Sequence, residues 1–153
     1  MISLSDPVLL DTNVVVHLIR ANAVGQQIAA DHQLLQRPDR PFISIVTVGE
    51  LKAFALKLGW GAAKRQMLDA LVSELVVVNM NQGDIMDRYA QIDHFSEKLA
   101  RPARQMGKND AWIAATAAAL EAHLITTDSD FDHLSPALIK LVKVDPLTGV
   151  TIP

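Results

Sequence analysis

The chain has 153 residues, half of them hydrophobic and a fifth charged, with no cysteine and a formal net charge of −3. That is one domain able to bury its own core, which excludes a disordered tail, a disulfide-stapled mini-protein and any thiolate metal site. No apolar stretch reaches the roughly 18 residues of a membrane span, and residues 1–6 lack the features of a signal peptide, so a soluble cytoplasmic protein is expected.

Pro7-Val8-Leu9-Leu10 is an apolar run that stops at Asp11-Thr12-Asn13, the pattern of a buried strand ending in a polar turn. Helices are predicted over 14–20 and 26–36, with Pro38 and Pro41 closing that unit, and Phe42–Ile45 is the next strand. From Thr47 the period changes: Leu51, Phe54 and Leu58 recur at the spacing of one helix face until Gly59-Trp60-Gly61 interrupts. A helix over 62–73 leads into the strand Leu75–Val78. Ile85, Tyr89, Ile92 and Leu99 mark one long amphipathic helix ending before Arg101-Pro102. The alanine-rich helix from Asn109 to about Ala122 is expected to be buried nearly all round. The strand Leu124–Thr126, a polar turn and a last strand over 138–144 complete the chain. Strands alternating with helices imply right-handed crossovers and a parallel sheet covered on both faces, a single α/β domain over 1–153. Ligand sites in such folds lie at the carboxyl ends of the strands.

Acids stand at those ends. Asp11 follows the first strand, Glu50 lies in the first turn after the second, Asp110 opens the alanine-rich helix, and Asp128 follows the fourth strand. Four carboxylates crowded on one sheet edge would repel, and a hard divalent cation removes that conflict. Each acid also has an ordinary use. Asp11-Thr12-Asn13 fits an Asx turn, Thr47-x-x-Glu50 a capping box, Asn109-Asp110 an N-cap with its first-turn acid, and Asp128, Asp130 and Asp132 a polar turn. Only their conjunction points to a site.

Other chemistries find little support. The histidines at 17, 32, 94, 123 and 133 lack zinc spacing, and no G-x-S-x-G elbow is present. His17 reads as a packed or rim residue, and Trp60 as a loop anchor before a base-stacking surface. The acidic balance argues mildly against a nucleic-acid binder. Yet every charge between Glu50 and Asp69 is positive, as is every charge between Glu97 and Asp110. Those segments are solvated faces or flanks of an acidic pocket.

Leu10-Asp11-Thr12-Asn13 resembles the opening signature of PIN domains, and Ser44-x-x-Thr47-x-x-Glu50-Leu51 is similar to their second motif. Asn109-Asp110-x-x-Ile113-Ala114-Ala115-Thr116-Ala117 resembles the third, and Leu124-Ile125-Thr126-Thr127-Asp128-x-Asp130-Phe131 the last. In order and length they resemble the VapC toxins of bacterial toxin–antitoxin pairs. The resemblance implies a three-layer α/β/α sandwich around a parallel sheet of about five strands. It implies an endoribonuclease dependent on Mg2+ or Mn2+, acting on tRNA or other structured RNA, homodimeric and inhibited by a cognate VapB-type antitoxin. By motif position Asp11, Glu50, Asp110 and Asp128 form the acidic cluster that binds the metal, Asp11 and Asp110 foremost among its ligands, with Asp130 the alternative to Asp128. Asn13 would orient Asp11, and Thr126 or Thr127 would help hold a water beside the metal. Lys52, Lys98, Arg101, Arg104 and Lys108 are candidates for gripping the RNA backbone. Rival readings are a catalytically silent RNA-binding PIN-like domain and an aspartate-based phosphatase. The latter wants a second aspartate where Asn13 stands.

Overall fold

Val8–Leu10, the strand β1, is apolar at all three positions and buried on both faces, as a central strand of a covered parallel sheet must be. The computed structural model describes residues 2–153. After β1 the chain forms α1 (Thr12–Arg20), α2 (Ala23–Asp31), β2 (Phe42–Ser44), α3 (Ile45–Lys57), α4 (Ala62–Ser73) and β3 (Val76–Val78). Then come α5 (Ile85–His94), a π-helical turn over Phe95–Leu99, α6 (Lys108–Ala119), β4 (His123–Thr126), a 3-10 turn over Ser129–Leu134 and β5 (Lys140–Lys143). Among the described residues no helix is long and apolar enough to cross a membrane.

All five strands are parallel, in the order β3-β2-β1-β4-β5. The chain builds outward from β1 in one direction, then crosses back to lay β4 against its other side. That reversal makes a topological switch point between β1 and β4, where helices diverge and leave a crevice beyond the carboxyl ends. The three-layer expectation and the strand count hold. Side chains along β1 and β4 alternate between two cores: Val8, Leu10 and Ile125 pack beneath α1, α2 and α3, while Leu9 and Leu124 pack beneath α5 and α6.

Several boundaries differ from those read in the sequence. The second helix stops at Asp31, because Gln33 turns left-handed (φ 49°). Ile45 belongs to α3, which Ser44 caps through the amide of Val46. The long helix expected through Leu99 changes at Phe95 to π-helical winding. The wider turn swings Leu99 out to solvent and brings Ser96 inward. Gly107, not Asn109, is the N-cap of α6. The alanine-rich face buries Ala111 and residues 113–117, letting α6 pack closely on the sheet and α5.

Candidate active site

Asp11 ends β1 and caps α1: its Oδ1 accepts the amide of Thr12 at 2.8 Å. Its Oδ2 accepts the hydroxyl of Thr126, at the end of the adjoining β4, at 2.7 Å. The carboxyl is only 3% exposed. Burial pushes its pKa up to about 6; the two hydrogen bonds resist the rise, and the nearby carboxylates of Asp128 and Glu50 add to it. Asp110, half-buried in the first turn of α6, is pushed up to about 7 by burial and by the charges of Asp11, Asp128, Glu50 and Asp130. A helix amino terminus normally favours a carboxylate. Here desolvation and the four like charges win.

Thr126 joins the two strand-end acids. It donates to Asp11, and its oxygen accepts the amide of Asp128 at 3.0 Å. Asp128 in turn accepts the amide of Asp130 at 2.9 Å, which draws the two carboxyls to one side of the turn. Glu50 stands opposite on α3. Since that helix starts at Ile45, Glu50 falls beyond its first turn, and no capping box forms with Thr47. Instead Glu50 Oε1 accepts from the Thr12 hydroxyl at 2.7 Å and Oε2 from the Asn109 amide at 3.3 Å. Thr12 has a single proton and gives it to Glu50, so the Thr47 hydroxyl, 3.0 Å away, must donate to Thr12. The roles of Thr12, Thr47 and Asn109 were not legible in the sequence. Their only signal there was a polar residue beside each acid.

The donor set fits a hard cation. One carboxylate oxygen each from Asp110, Asp128 and Asp130 lies within 4.8 Å of the others. All-oxygen coordination of that kind suits Mg2+ or Mn2+. Asp128 and Asp130 both belong to this trio, where the sequence offered them as alternatives, whereas Asp11 and Glu50, also expected as ligands, are not part of it.

The remaining candidates divide. Asn13 is exposed and makes no hydrogen bond to Asp11; Thr126 takes the orienting role expected of it. The Thr126 hydroxyl, fully buried between Asp11 and the Asp128 amide, is committed to those two groups. Thr127 and Asn13 line a cavity next to the cluster, together with His17, Arg20, Phe54 and Trp60. Lys52 lies in a groove with Leu56, Arg65 and Asp69, while Lys57, not singled out in the sequence, shares a groove with Glu50 and Asn109. A helix turns about 100° per residue, so Lys52, two positions from Glu50, projects to another side. Lys98, Arg101 and Arg104 are exposed on the segment leading into α6. Arg101 donates to the carbonyls of Lys98 and Ala100, and Lys108 sits 3.6 Å from Asp93.

The raised carboxyls predict a pH response. Asp11 and Asp110 titrate higher in the folded chain than unfolded, so their contribution is most favourable below about pH 4 and is lost as pH rises through about 6 and 7. Without metal, stability should fall across that window. A bound divalent cation competes with those protons, so added Mn2+ should raise Tm more at pH 8 than at pH 5, by about 2–4 °C per kcal/mol of binding linkage. Thermal melts at both pH values, with Mn2+ and with chelator, measure this. An equal shift at both would contradict a site built on these groups.

The fold that carries these residues recurs in known proteins. A family model for the PIN domain matches residues 8–135. Ribonuclease VapC5 of Mycobacterium tuberculosis is 32% identical over 138 residues, 89% of this chain and 94% of that protein. The crystal structure of VapBC-5 from the same organism, a member of the VapBC toxin–antitoxin family, matches with TM-score 0.64 and 26% identity over 91% of this chain and 99% of that one. VapBC2 from Rickettsia felis, bound to a promoter DNA fragment, shares the fold with TM-score 0.73 and 24% identity, covering 90% and 98% of the two chains. The match to the family model runs from β1 through the turn that carries Asp128 and Asp130, and the chain belongs to the PIN domain family.

Proposed function

We propose that this chain is a VapC-type endoribonuclease dependent on a divalent cation, with RNA as substrate and a VapB-type antitoxin as inhibitor. The observation that carries this reading is the convergence of Asp11, Glu50, Asp110, Asp128 and Asp130 at the β1–β4 switch point, with Asp11 and Asp110 titrating near neutrality. The relative named as a ribonuclease supports the activity, and the toxin–antitoxin complexes among the structural neighbours support the partner. A homodimer in the cytoplasm is part of the proposal. Nothing in the site favours a silent binding domain, since all the acids are retained.

Asp110, Asp128 and Asp130 would hold Mg2+ or Mn2+, with Asp11 at their side. When bound, the cation supplies Lewis-acid activation of water and offsets charge on the phosphodiester. The chain's own residues do the rest. Thr126 and the Thr12 amide hold the Asp11 carboxylate in one rotamer, and the Thr47–Thr12–Glu50 relay with Asn109 fixes both oxygens of Glu50. The proton released by the attacking water would pass to the carboxylate cluster and from there to the departing 3′-oxygen. Water attacks phosphorus, the bond to the 3′-oxygen breaks, and that oxygen leaves protonated.

The products should therefore carry a 5′-phosphate and a 3′-hydroxyl. Total tRNA incubated with the protein and Mn2+, then with excess chelator, tests both points. Cleavage should stop with chelator and return with Mn2+, and end-labelling should detect the 5′-phosphate. A 2′,3′-cyclic phosphate would mean attack by the ribose hydroxyl and overturn the hydrolytic route.

A further inference from the structure

A cavity of about 400 Å³ is lined by Asn13 and Thr127, the chain neighbours of the strand-end acids Asp11 and Asp128. Its size is within the roughly 300–1,000 Å³ range of small-ligand sites. One wall is α1, where Asn13, His17 and Arg20 recur at i, i+4 and i+7 and so form a single stripe running from the acids to the far end. The other wall is apolar, formed by Phe54 of α3 and by Trp60, which is 6% exposed. None of these residues is needed by the chemistry described above.

The polarity of the stripe follows from the turn beneath it. Asn22 caps α2 by accepting the Gly25 amide on Oδ1 at 2.9 Å. Its Nδ2 is thereby the atom placed 2.9 Å from His17 Nδ1. An amide nitrogen only donates, so His17 Nδ1 accepts, and the neutral ring carries its proton on Nε2. Gly25 holds this arrangement close, since a Cβ there would stand 2.4 Å from the His17 carbonyl oxygen. Arg20, exposed one turn on and with no side-chain hydrogen bond among the described residues, also only donates. The far end of the cavity thus offers donors, while Val16, Phe54, Leu58 and the little of Trp60 left uncovered, with Lys64 Nζ 4.9 Å from its ring centroid, supply its apolar lining.

We propose that this cavity is a nucleobase subsite that takes an unpaired base flanking the scissile phosphate and prefers guanine. Guanine presents two acceptors, N7 and O6, on one edge, whereas adenine places an amino donor beside N7. A base lodged here lies near the carboxylates, because Asn13 stands two residues after Asp11 and Thr127 directly before Asp128. A peptide segment, carrying donors and acceptors alike, matches a donor-only end less well. The role in cleavage rests on the ribonuclease reading; binding of a nucleotide does not.

The chain has two tryptophans, and Trp112 is stacked on Tyr89 with ring centroids 3.9 Å apart. The indole N–H resonance of Trp60, assigned with Trp60→Phe, therefore reports the cavity. Metal-free protein should be titrated with GMP, AMP, CMP and UMP. GMP should shift the Trp60 signal at roughly tenfold lower concentration than AMP, the discrimination of one well-made base contact. Arg20→Ala and, separately, His17→Ala should erase that preference, with unchanged melting curves as the control for folding. In parallel, cleavage of a random RNA pool should show guanine enriched at one position beside the cut in wild type and not in Arg20→Ala. No nucleotide response at Trp60 while tRNA is still cleaved overturns the subsite and leaves the nuclease standing. A guanine-selective response without cleavage by wild type does the reverse. A signal that moves with a synthetic amphipathic peptide and with no nucleotide assigns the cavity to a protein partner and overturns the proposal.

Discussion

Asp110→Asn should lose Mn2+-dependent RNA cleavage while the metal-free protein becomes more stable at pH 8. The two effects have one origin. Asp110 supplies one of the three clustered carboxylate oxygens, and its amide substitute cannot offer that charge to a cation. Removing such a ligand withdraws several kcal/mol of transition-state stabilisation, so the cleavage rate should fall by roughly 10³-fold or more. In the free protein the same carboxylate is half-buried and faces Asp11, Asp128, Glu50 and Asp130, which is why its pKa rises to about 7. Neutralising it relieves that repulsion. Solvent around the half-exposed group screens the gain to about 1–2 kcal/mol, or about 2–4 °C in Tm per kcal/mol. At pH 4, where Asp110 is already protonated, the gain should vanish. Comparing initial cleavage rates on tRNA with melting curves at the two pH values checks both halves. Equal cleavage by the two proteins would remove Asp110 from the site, and equal stability at pH 8 would remove the repulsion.

Thr126→Val should damage the site through its neighbours. Valine keeps the shape of threonine but deletes the hydroxyl that donates to Asp11 and accepts from the Asp128 amide. At this fully buried position water cannot replace it easily. Each buried partner left unsatisfied costs about 1–3 kcal/mol. Asp11 also loses a hydrogen bond that favours its ionised form, so its pKa should climb further above 6. Lost orientation beside a metal site typically costs 10–100-fold in metal affinity or activity, roughly the range expected here. The pH–rate profile separates this from simple destabilisation: its acidic limb should move to higher pH in Thr126→Val and return in Thr126→Ser. A lower Tm with an unmoved limb would leave Thr126 a purely structural residue.

Thr126 also shows where reading the sequence stops. It stood in a recognisable motif, and its expected task was to hold water. The structure instead spends its hydroxyl on Asp11, a residue 115 positions away. Asn13 is the converse. Adjacent to Asp11 in sequence, it was expected to steer that carboxyl, but it projects along α1 toward the neighbouring cavity. Lys52 and Lys57 look equivalent as exposed cations of one helix, and only Lys57 shares the groove of Glu50 and Asn109. The π-helical turn at Phe95 had no signal in the apolar spacing, since Leu99 continues the pattern that the extra residue then breaks.

The sequence by itself determined the alternation of short apolar strands with helices, the parallel α/β class and the acids at strand ends and helix starts. These are local properties. Period 2 or 3.6, a turn residue or a cap is written within a few neighbours, and an acid that follows an apolar run must emerge where the strand does. What only the tertiary structure decided is which groups meet. The order β3-β2-β1-β4-β5 puts the end of β4 against the end of β1, so Thr126 reaches Asp11, while the packing of α3 and α6 brings Asn109 to Glu50. Such pairings depend on how whole layers pack, and no window of residues contains that information.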